Sequence, residues 1–208
     1  MNEVLIVLVL LIGSSIIMAL LKKNIFMKVY NSYNSKNYGC FFKYVDSLLA
    51  RVLMPIYTRE VLKFNVYIQK ESDHDITNQF NRMMKLGLTS NQLKEILVRG
   101  FNYFCIHRQD KRCKKILAKM REVLDEREYP QYRRHYEILF NGSTEYINEL
   151  EREIKTFQGM KKGYLEYLLA KSYQAKKEQK NYLKYINQAM EDCKANVQKI
   201  EQNLEVMW

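Results

Sequence analysis

An uninterrupted apolar run near the N-terminus, Val4–Leu21, constrains the fold of this chain most strongly. A helix rises about 1.5 Å per residue, so these residues would span about 27 Å, close to the roughly 30 Å hydrocarbon core of a bilayer. Lys22 and Lys23 follow at once, and their long side chains can reach lipid headgroups. We therefore expect residues 1–23 to form a transmembrane signal-anchor.

Two other interpretations of the apolar run are weaker. A cleaved signal peptide would have basic residues before the run and a small-x-small cleavage site after it. Here Glu3 is the only charge before the run, and Lys22, Lys23 and Asn24 follow it. A buried helix of a soluble domain would be apolar on one face, whereas this run is apolar on every face.

The basic residues predict an orientation. Residues 1–3 hold no lysine or arginine, whereas residues 22–70 hold nine against two acids. The excess then falls, to fourteen against ten in residues 71–142 and eleven against ten in residues 143–208. Because cytoplasmic segments next to a span are enriched in Lys and Arg, we expect a single-pass cell-membrane protein with a cytoplasmic C-terminal domain. The residues expected at the membrane surface are Lys22, Lys23, Lys28 and Lys36.

Helical periodicity dominates the rest of the chain, which has only two prolines and seven glycines. Five segments read as the second helix of a helical hairpin, and their matching early positions lie 33–36 residues apart. The segments are 41–53, 75–86, 110–124, 144–157 and 181–193, with Tyr44, Gln79, Cys113, Tyr146 and Tyr182 at the matching positions. The first helices are expected at 24–37, 55–70, 90–107, 129–140 and 160–177, with Ser90 as the N-cap of the third.

The last hairpin resembles a tetratricopeptide repeat. Leu169, Ala170 and Tyr173 match the large, small and aromatic positions of that family's first helix, and Ile186 and Ala189 match its second helix. The small residue lets the two helices approach, and the aromatic ring fills the groove between them. In the third unit, Gly100 and Tyr103 repeat the small-then-aromatic spacing.

The resemblance covers residues 24–208 as a period but only about 160–193 as a motif. Tyr182 stands where the family usually has a small residue, and the closing proline is missing after Ala189. A helical-hairpin solenoid of another family therefore stays open.

These patterns predict an all-α protein: a single N-terminal transmembrane helix followed by an α-solenoid of about four to five antiparallel helix hairpins. Residues 24–54 are either a first hairpin or a juxtamembrane basic helical region that extends the anchor helix. Residues 55–208 are the repeat domain, and its amphipathic tail, 196–208, is expected to cap the last hairpin.

The sequence contains no catalytic or cofactor-binding motif that we could identify. His74, His107 and His135 have no zinc-site spacing, the four cysteines form no CxxC, and no glycine loop could cradle phosphate. Glu149 and Glu153 are interpreted as a solvated helix face beside Arg152 and Lys155. We therefore expect no catalysis, no cofactor and no metal.

Aromatic residues suggest a binding role instead. The chain has sixteen tyrosines and nine phenylalanines, many of them on the predicted first helices. First helices line the concave face of stacked hairpins, where tyrosine offers a large contact area with few rotors to freeze. We therefore expect a membrane-anchored cytoplasmic scaffold that binds a protein or peptide. The residues predicted to contact this partner are Arg99, Tyr132, Arg133, Tyr136, Tyr164 and Lys171. Among them, Arg99 and Arg133 are the expected cationic contacts if the partner is an acidic peptide.

A second hypothesis uses the basic surface of residues 22–119 to bind nucleic acid or anionic lipid. It depends on the run Arg108–Lys119, where Lys111, Lys114 and Lys115 would project while Ile116 and Leu117 point inward. A solvated helix face explains the same pattern. Strong salt dependence of binding would favour this second hypothesis.

Overall fold

The computed structural model describes residues 2–195, 197 and 200, and in that range the chain is all-helical, as predicted. Eleven helices occur there, with no strand. They are α1 (Asn2–Asn34), α2 (Tyr38–Val45), α3 (Leu48–Leu53), α4 (Ile56–Gln69), α5 (Asp73–Met83), α6 (Ser90–Ile106), α7 (Asp110–Val123), α8 (Tyr129–Asn141), α9 (Ile147–Glu153), α10 (Gly159–Ala175) and α11 (Gln179–Cys193).

The helices form two compact units, Met1–Leu88 and Thr89–Trp208, which we call unit 1 and unit 2. Unit 1 contains the apolar run and α1–α5, and unit 2 contains α6–α11. The predicted boundaries at residues 23 and 54 were drawn from the apolar run and from the repeat pattern of the sequence. They stay predictions.

The apolar run lies within α1, which continues without a break into the basic region. Its segment Val7–Asn34 is, by length and composition, able to cross a membrane, and its most apolar part is almost entirely exposed. The Ser14 and Ser15 hydroxyls donate to the carbonyl oxygen of Leu11 at 2.9 and 2.8 Å, so both polar groups are satisfied inside the helix.

The segment 41–53, predicted as one helix, is two. The break falls at Asp46 and Ser47, where the Ser47 hydroxyl accepts a hydrogen bond from the backbone N–H of Ala50 and caps α3. Both short helices pack against α1. Ile25 and Val29 of α1 share a core with Val45 and Ala50.

A buried polar network joins α4 to α5. The Gln79 side-chain N–H donates to the Glu60 carboxylate at 2.8 Å and to the Glu60 carbonyl at 2.9 Å. Arg82 and Lys63 supply positive charge to the same carboxylate, at 3.3 and 3.6 Å. Gln79 can occupy an apolar position of the period because its amide donates to one carboxylate oxygen of Glu60, which is completely buried.

In unit 2, α6 begins at a capping box one residue before the predicted cap. The Thr89 hydroxyl accepts from the backbone N–H of Gln92, and the Gln92 side chain accepts from the backbone N–H of Thr89. Thr89 rather than Ser90 is therefore the N-cap, and this box fixes where the helix starts.

The remaining helices of unit 2 pack in sequence. Helix α6 packs on α7 and α7 on α8, while α10 contacts α8, α9 and α11. Helices α10 and α11 approach closely at Gly163, where an added Cβ would lie 2.5 Å from the Cys193 sulfur and 3.1 Å from the Ala189 carbonyl oxygen. Most of the predicted capping tail lies outside the described residues. Val197 and Ile200 of the tail pack with the hydrophobic core formed by α8–α11.

Candidate functional site

Three adjoining cavities in unit 2 form the candidate site, and we call them together the groove. Gln131 lines both the first and the second cavity, and Thr156 and Phe157 line both the second and the third. Helices α6, α8, α9, α10 and α11 all contribute side chains to it. The three cavities therefore adjoin one another in unit 2.

The first cavity, of about 520 Å³, lies between α6 and the start of α8. Its cations are matched by carboxylates, since Lys94 binds Glu128 and the Arg99 guanidinium lies 3.0 Å from Glu95. Burial raises the pKa of Tyr132 to about 12, so its phenol stays protonated. The lining residues are Asn91, Lys94, Glu95, Val98, Arg99, Asn102, Glu128, Gln131 and Tyr132.

The second cavity, of about 360 Å³, depends on the buried Arg134. Its guanidinium donates to Glu149 at 2.6 Å and to both Glu153 oxygens at 2.7 and 2.9 Å. These two acids were predicted to form a solvated face with Arg152 and Lys155, and instead they tie α9 to α8. The Nε–H of Arg134 is buried without a hydrogen-bond partner among the described residues.

The third cavity, of about 660 Å³, lies between α10, α11 and the segment that precedes α10. Lys162 bridges Asp192 at 2.7 Å and Glu166 at 3.4 Å. Burial, followed by a hydrogen bond with Asp192, raises the pKa of Glu166 to about 7. The side-chain oxygen of Gln188 is buried here without a partner in the described part of the chain.

The groove offers the chemistry of a peptide-binding surface. Side-chain amides can pair with both the N–H and the C=O of a peptide bond. Five of them line the groove, at Asn91, Asn102, Gln131, Gln158 and Gln188.

The structure brings two of the six predicted partner-binding residues to the groove, Arg99 and Tyr132. Arg133 is exposed on α8, and Lys171 lies 5.3 Å above the ring of Tyr167. Arg133, Lys171 and the other two predicted tyrosines, Tyr136 and Tyr164, are not among the described residues that line the three cavities.

Tyr136 and Tyr164, which were predicted to contact the partner, are core residues. Tyr164 is 1% exposed and packs edge-on against His135, and Tyr136 donates to Asp110 at 2.7 Å. Both face between helices because the packed helices need large rings to fill their grooves. Burial also lowers the pKa of His135 to about 3, so this histidine is neutral inside the core.

The predicted membrane-surface lysines lie on or just after α1, and all four are exposed. Lys22 and Lys23 line an apolar recess with Phe26 and Met27, and Lys28 lies 5.9 Å from the ring of Tyr44. Lys36 follows α1 and adopts a left-handed backbone conformation.

On α7 the pattern of the basic run is as predicted. Lys111, Lys114 and Lys115 are exposed, and Ile116 and Leu117 are buried. This arrangement makes one basic face, which is available to an anionic ligand or to solvent.

Cys105 and Cys113 are buried with their sulfurs 3.5 Å apart. Burial raises the pKa of the Cys105 thiol well above its usual value, so the thiolate is disfavoured there. Among the described residues, no group of three or more histidines, cysteines and acids could hold a metal ion.

Sequence reasoning missed Arg134, Glu166 and Gln188 as groove residues. Glu149 and Glu153 carried a usable signal, because acids four residues apart on α9 can jointly face one arginine of the preceding helix. Glu166 carried none, since it lies in a helix whose residues 163–170 are all buried.

Comparison of the chain with known family models, curated proteins and solved structures finds no match.

Proposed function

We propose that this protein is a membrane-anchored scaffold whose unit 2 binds an extended segment of another protein in the groove. The observation that carries the proposal is that three adjoining cavities share lining residues and are lined by side-chain amides and by charges of both signs. Six carboxylates accompany the eight cations of the groove, and Lys94, Arg99, Arg134 and Lys162 each pair with a carboxylate. The groove therefore favours a peptide backbone over a strongly acidic ligand.

The packing of α6 on α7 and of α10 on α11, together with the ion pairs from Arg134 of α8 to α9, supports a solenoid of the tetratricopeptide type. The groove would then lie along its first helices, α6, α8 and α10. Ring contacts support such stacking, since Phe101 of α6 meets Tyr132 of α8 and His135 of α8 meets Tyr164 of α10. Catalysis has no place in this proposal.

The anchor is α1, which we propose crosses the cell membrane once with the rest of the chain in the cytoplasm. The span is supported by the length of α1, by its exposed apolar surface and by the two lysines that follow its apolar run, Lys22 and Lys23. The excess of Lys and Arg in residues 22–70 supports the orientation. Anchoring would hold the groove close to membrane-associated partners.

Photo-crosslinking in native membranes tests the groove. A benzophenone amino acid replaces Gln131, which lies where two cavities meet, in the full chain. We expect a discrete protein adduct. The matched control is the same probe at Arg133, two residues along α8 and outside the cavity linings. Adducts of equal yield from both positions would contradict specific binding in the groove.

A second candidate function uses the basic face of α7. The exposed Lys111, Lys114 and Lys115 favour a membrane-tethered binder of nucleic acid or anionic lipid. The benzophenone at Lys115 tests it, because this function predicts nucleic-acid or lipid adducts from α7 and none from Gln131.

A further inference from the structure

Helix α3 exposes an apolar face that unit 1 does not cover. Leu48 is 78% exposed and Val52 is 68% exposed, and Leu49 and Ile56 are also exposed. The opposite side of α3 is buried in the unit 1 core through Ala50. Contiguous exposed apolar residues of this kind mark a surface that contacts a partner or a membrane.

Helix α3 packs close to the end of the apolar run. After α1 ends at Asn34, α2 and then α3 pack alongside it. Ala50 of α3 belongs to the same core as Ile25 of α1. Ile25 is four residues beyond Leu21, which corresponds to about 6 Å along the helix.

The charge around this face matches an anionic lipid surface. Arg51 is exposed on α3 itself, and Lys22 and Lys23 are exposed where the apolar run ends. An apolar helix face bordered by cations is the pattern of helices that lie in the headgroup layer. Cationic side chains there gain about 1 kcal/mol each from anionic lipid.

We propose that the Leu48–Leu49–Val52 face of α3 inserts into the cytoplasmic leaflet beside the α1 span, as a second membrane contact of unit 1. The inference rests on the proposed span and orientation of α1. Its consequence is that unit 1 is held against the bilayer at two places and cannot turn freely about α1.

Spin-label accessibility in the full chain tests the contact. The background carries Cys40→Ser and Cys193→Ser, and the remaining cysteines are buried. Single cysteines are placed by Ile12→Cys in the span, Val52→Cys on the α3 face and Asn78→Cys on the exposed side of α5, the matched control within unit 1. Each nitroxide-labelled protein is reconstituted in vesicles of phosphatidylcholine with phosphatidylglycerol.

Collision with oxygen, which concentrates in lipid, is compared with collision with a water-soluble nickel chelate. We expect the label at position 52 to shift from the aqueous value at position 78 toward the lipid value at position 12. A second label, introduced by Leu48→Cys, should shift in the same way. All four sites are exposed, so the substitutions leave the core intact.

The outcomes separate this inference from the anchor itself. A lipid value at position 12 with an aqueous value at position 52 overturns the α3 contact and leaves the span standing. An aqueous value at position 12 overturns the span and the α3 contact together. Spin–spin broadening at position 52 with protection from both reagents would mean that a second copy of the chain covers α3, which also overturns the proposal.

Discussion

Arg134 is the residue on which the middle of the groove depends. Its buried guanidinium holds two carboxylates of α9, one of them through two parallel hydrogen bonds. A planar guanidinium that forms two parallel hydrogen bonds with a carboxylate fixes the orientation of that carboxylate and also neutralises its charge. The contacts therefore position α9, the shortest helix of unit 2, against α8.

We predict that Arg134→Met lowers the free energy of unfolding by about 1–3 kcal/mol, because Glu149 and Glu153 lose their shared partner. Both carboxylates are partly exposed and can rehydrate, which limits the loss. Urea denaturation measures the effect. Arg133→Met, the exposed neighbour, should stay within about 0.5 kcal/mol of wild type. Equal losses in the two variants would refute the structural role of Arg134.

Glu166 makes stability depend on pH. Its pKa is about 7 in the folded protein against an ordinary value of 4.5, so between these pH values the native state holds more protons than the unfolded state. Its contribution to stability therefore falls as pH rises through that window. His135 acts in the opposite direction, because its pKa of about 3 leaves the unfolded state with more protons below pH 6.5.

We predict that Glu166→Gln stabilises the protein at pH 8 by about 2 kcal/mol and has little effect at pH 4.5, because the amide cannot ionise in the buried site. The measurement is the difference in unfolding free energy between variant and wild type across pH 4.5–8. A difference that is constant over this range would show that Glu166 does not titrate there.

At the scale of the element, the two helices of the last hairpin approach closely at Gly163. An added methyl group would meet the Cys193 sulfur and the backbone of α11, and the backbone cannot give way without shifting the helix. The glycine therefore sets how close α10 and α11 lie, and with it the width of the third cavity.

We expect Gly163→Ala to destabilise unit 2 by about 1–2 kcal/mol, since overpacking outweighs the higher helix propensity of alanine. Adding Cys193→Ala should restore part of the loss, because it removes the nearest atom. Thermal and urea unfolding measure both variants. The control is Gly87→Ala, where an added Cβ meets nothing within 4 Å. A stabilised Gly163→Ala variant would contradict the close approach.

The positions of most helices could be predicted from the sequence, because apolar residues at helical spacing are a local signal. The segments 90–107 and 129–140 match α6 and α8 closely. The break inside 41–53 could not be predicted, because it depends on Ser47 capping α3. The sequence also could not predict which tyrosines face the groove, because the packing of neighbouring helices decides which rings are buried.

At the scale of the whole molecule, the proposal combines an anchor with a groove, and the orientation of the anchor can be tested directly. In the background Cys40→Ser and Cys193→Ser, we expect a membrane-impermeant maleimide to label Asn78→Cys only after the membrane is permeabilised. Asn2→Cys, before the span, should be labelled in intact cells. The reverse pattern would place the body of the protein outside the cell.

The central claim is that a groove with matched charges, and not the basic face of α7, binds the partner. The two surfaces differ most in their response to salt. A protein that neutralises six to ten phosphates loses about 10³–10⁵ in affinity between 50 and 200 mM salt. A groove whose eight cations are accompanied by six carboxylates releases few counterions, so its affinity should change much less over the same range of salt.

The most direct measurement is the yield of benzophenone adducts from Gln131 and from Lys115 in inverted membrane vesicles at 50 and 200 mM salt. We predict a protein adduct from Gln131 whose yield changes by less than about twofold over this range, as expected where counterion release is small. The contrary result would be an adduct that forms only from Lys115 and disappears at 200 mM salt.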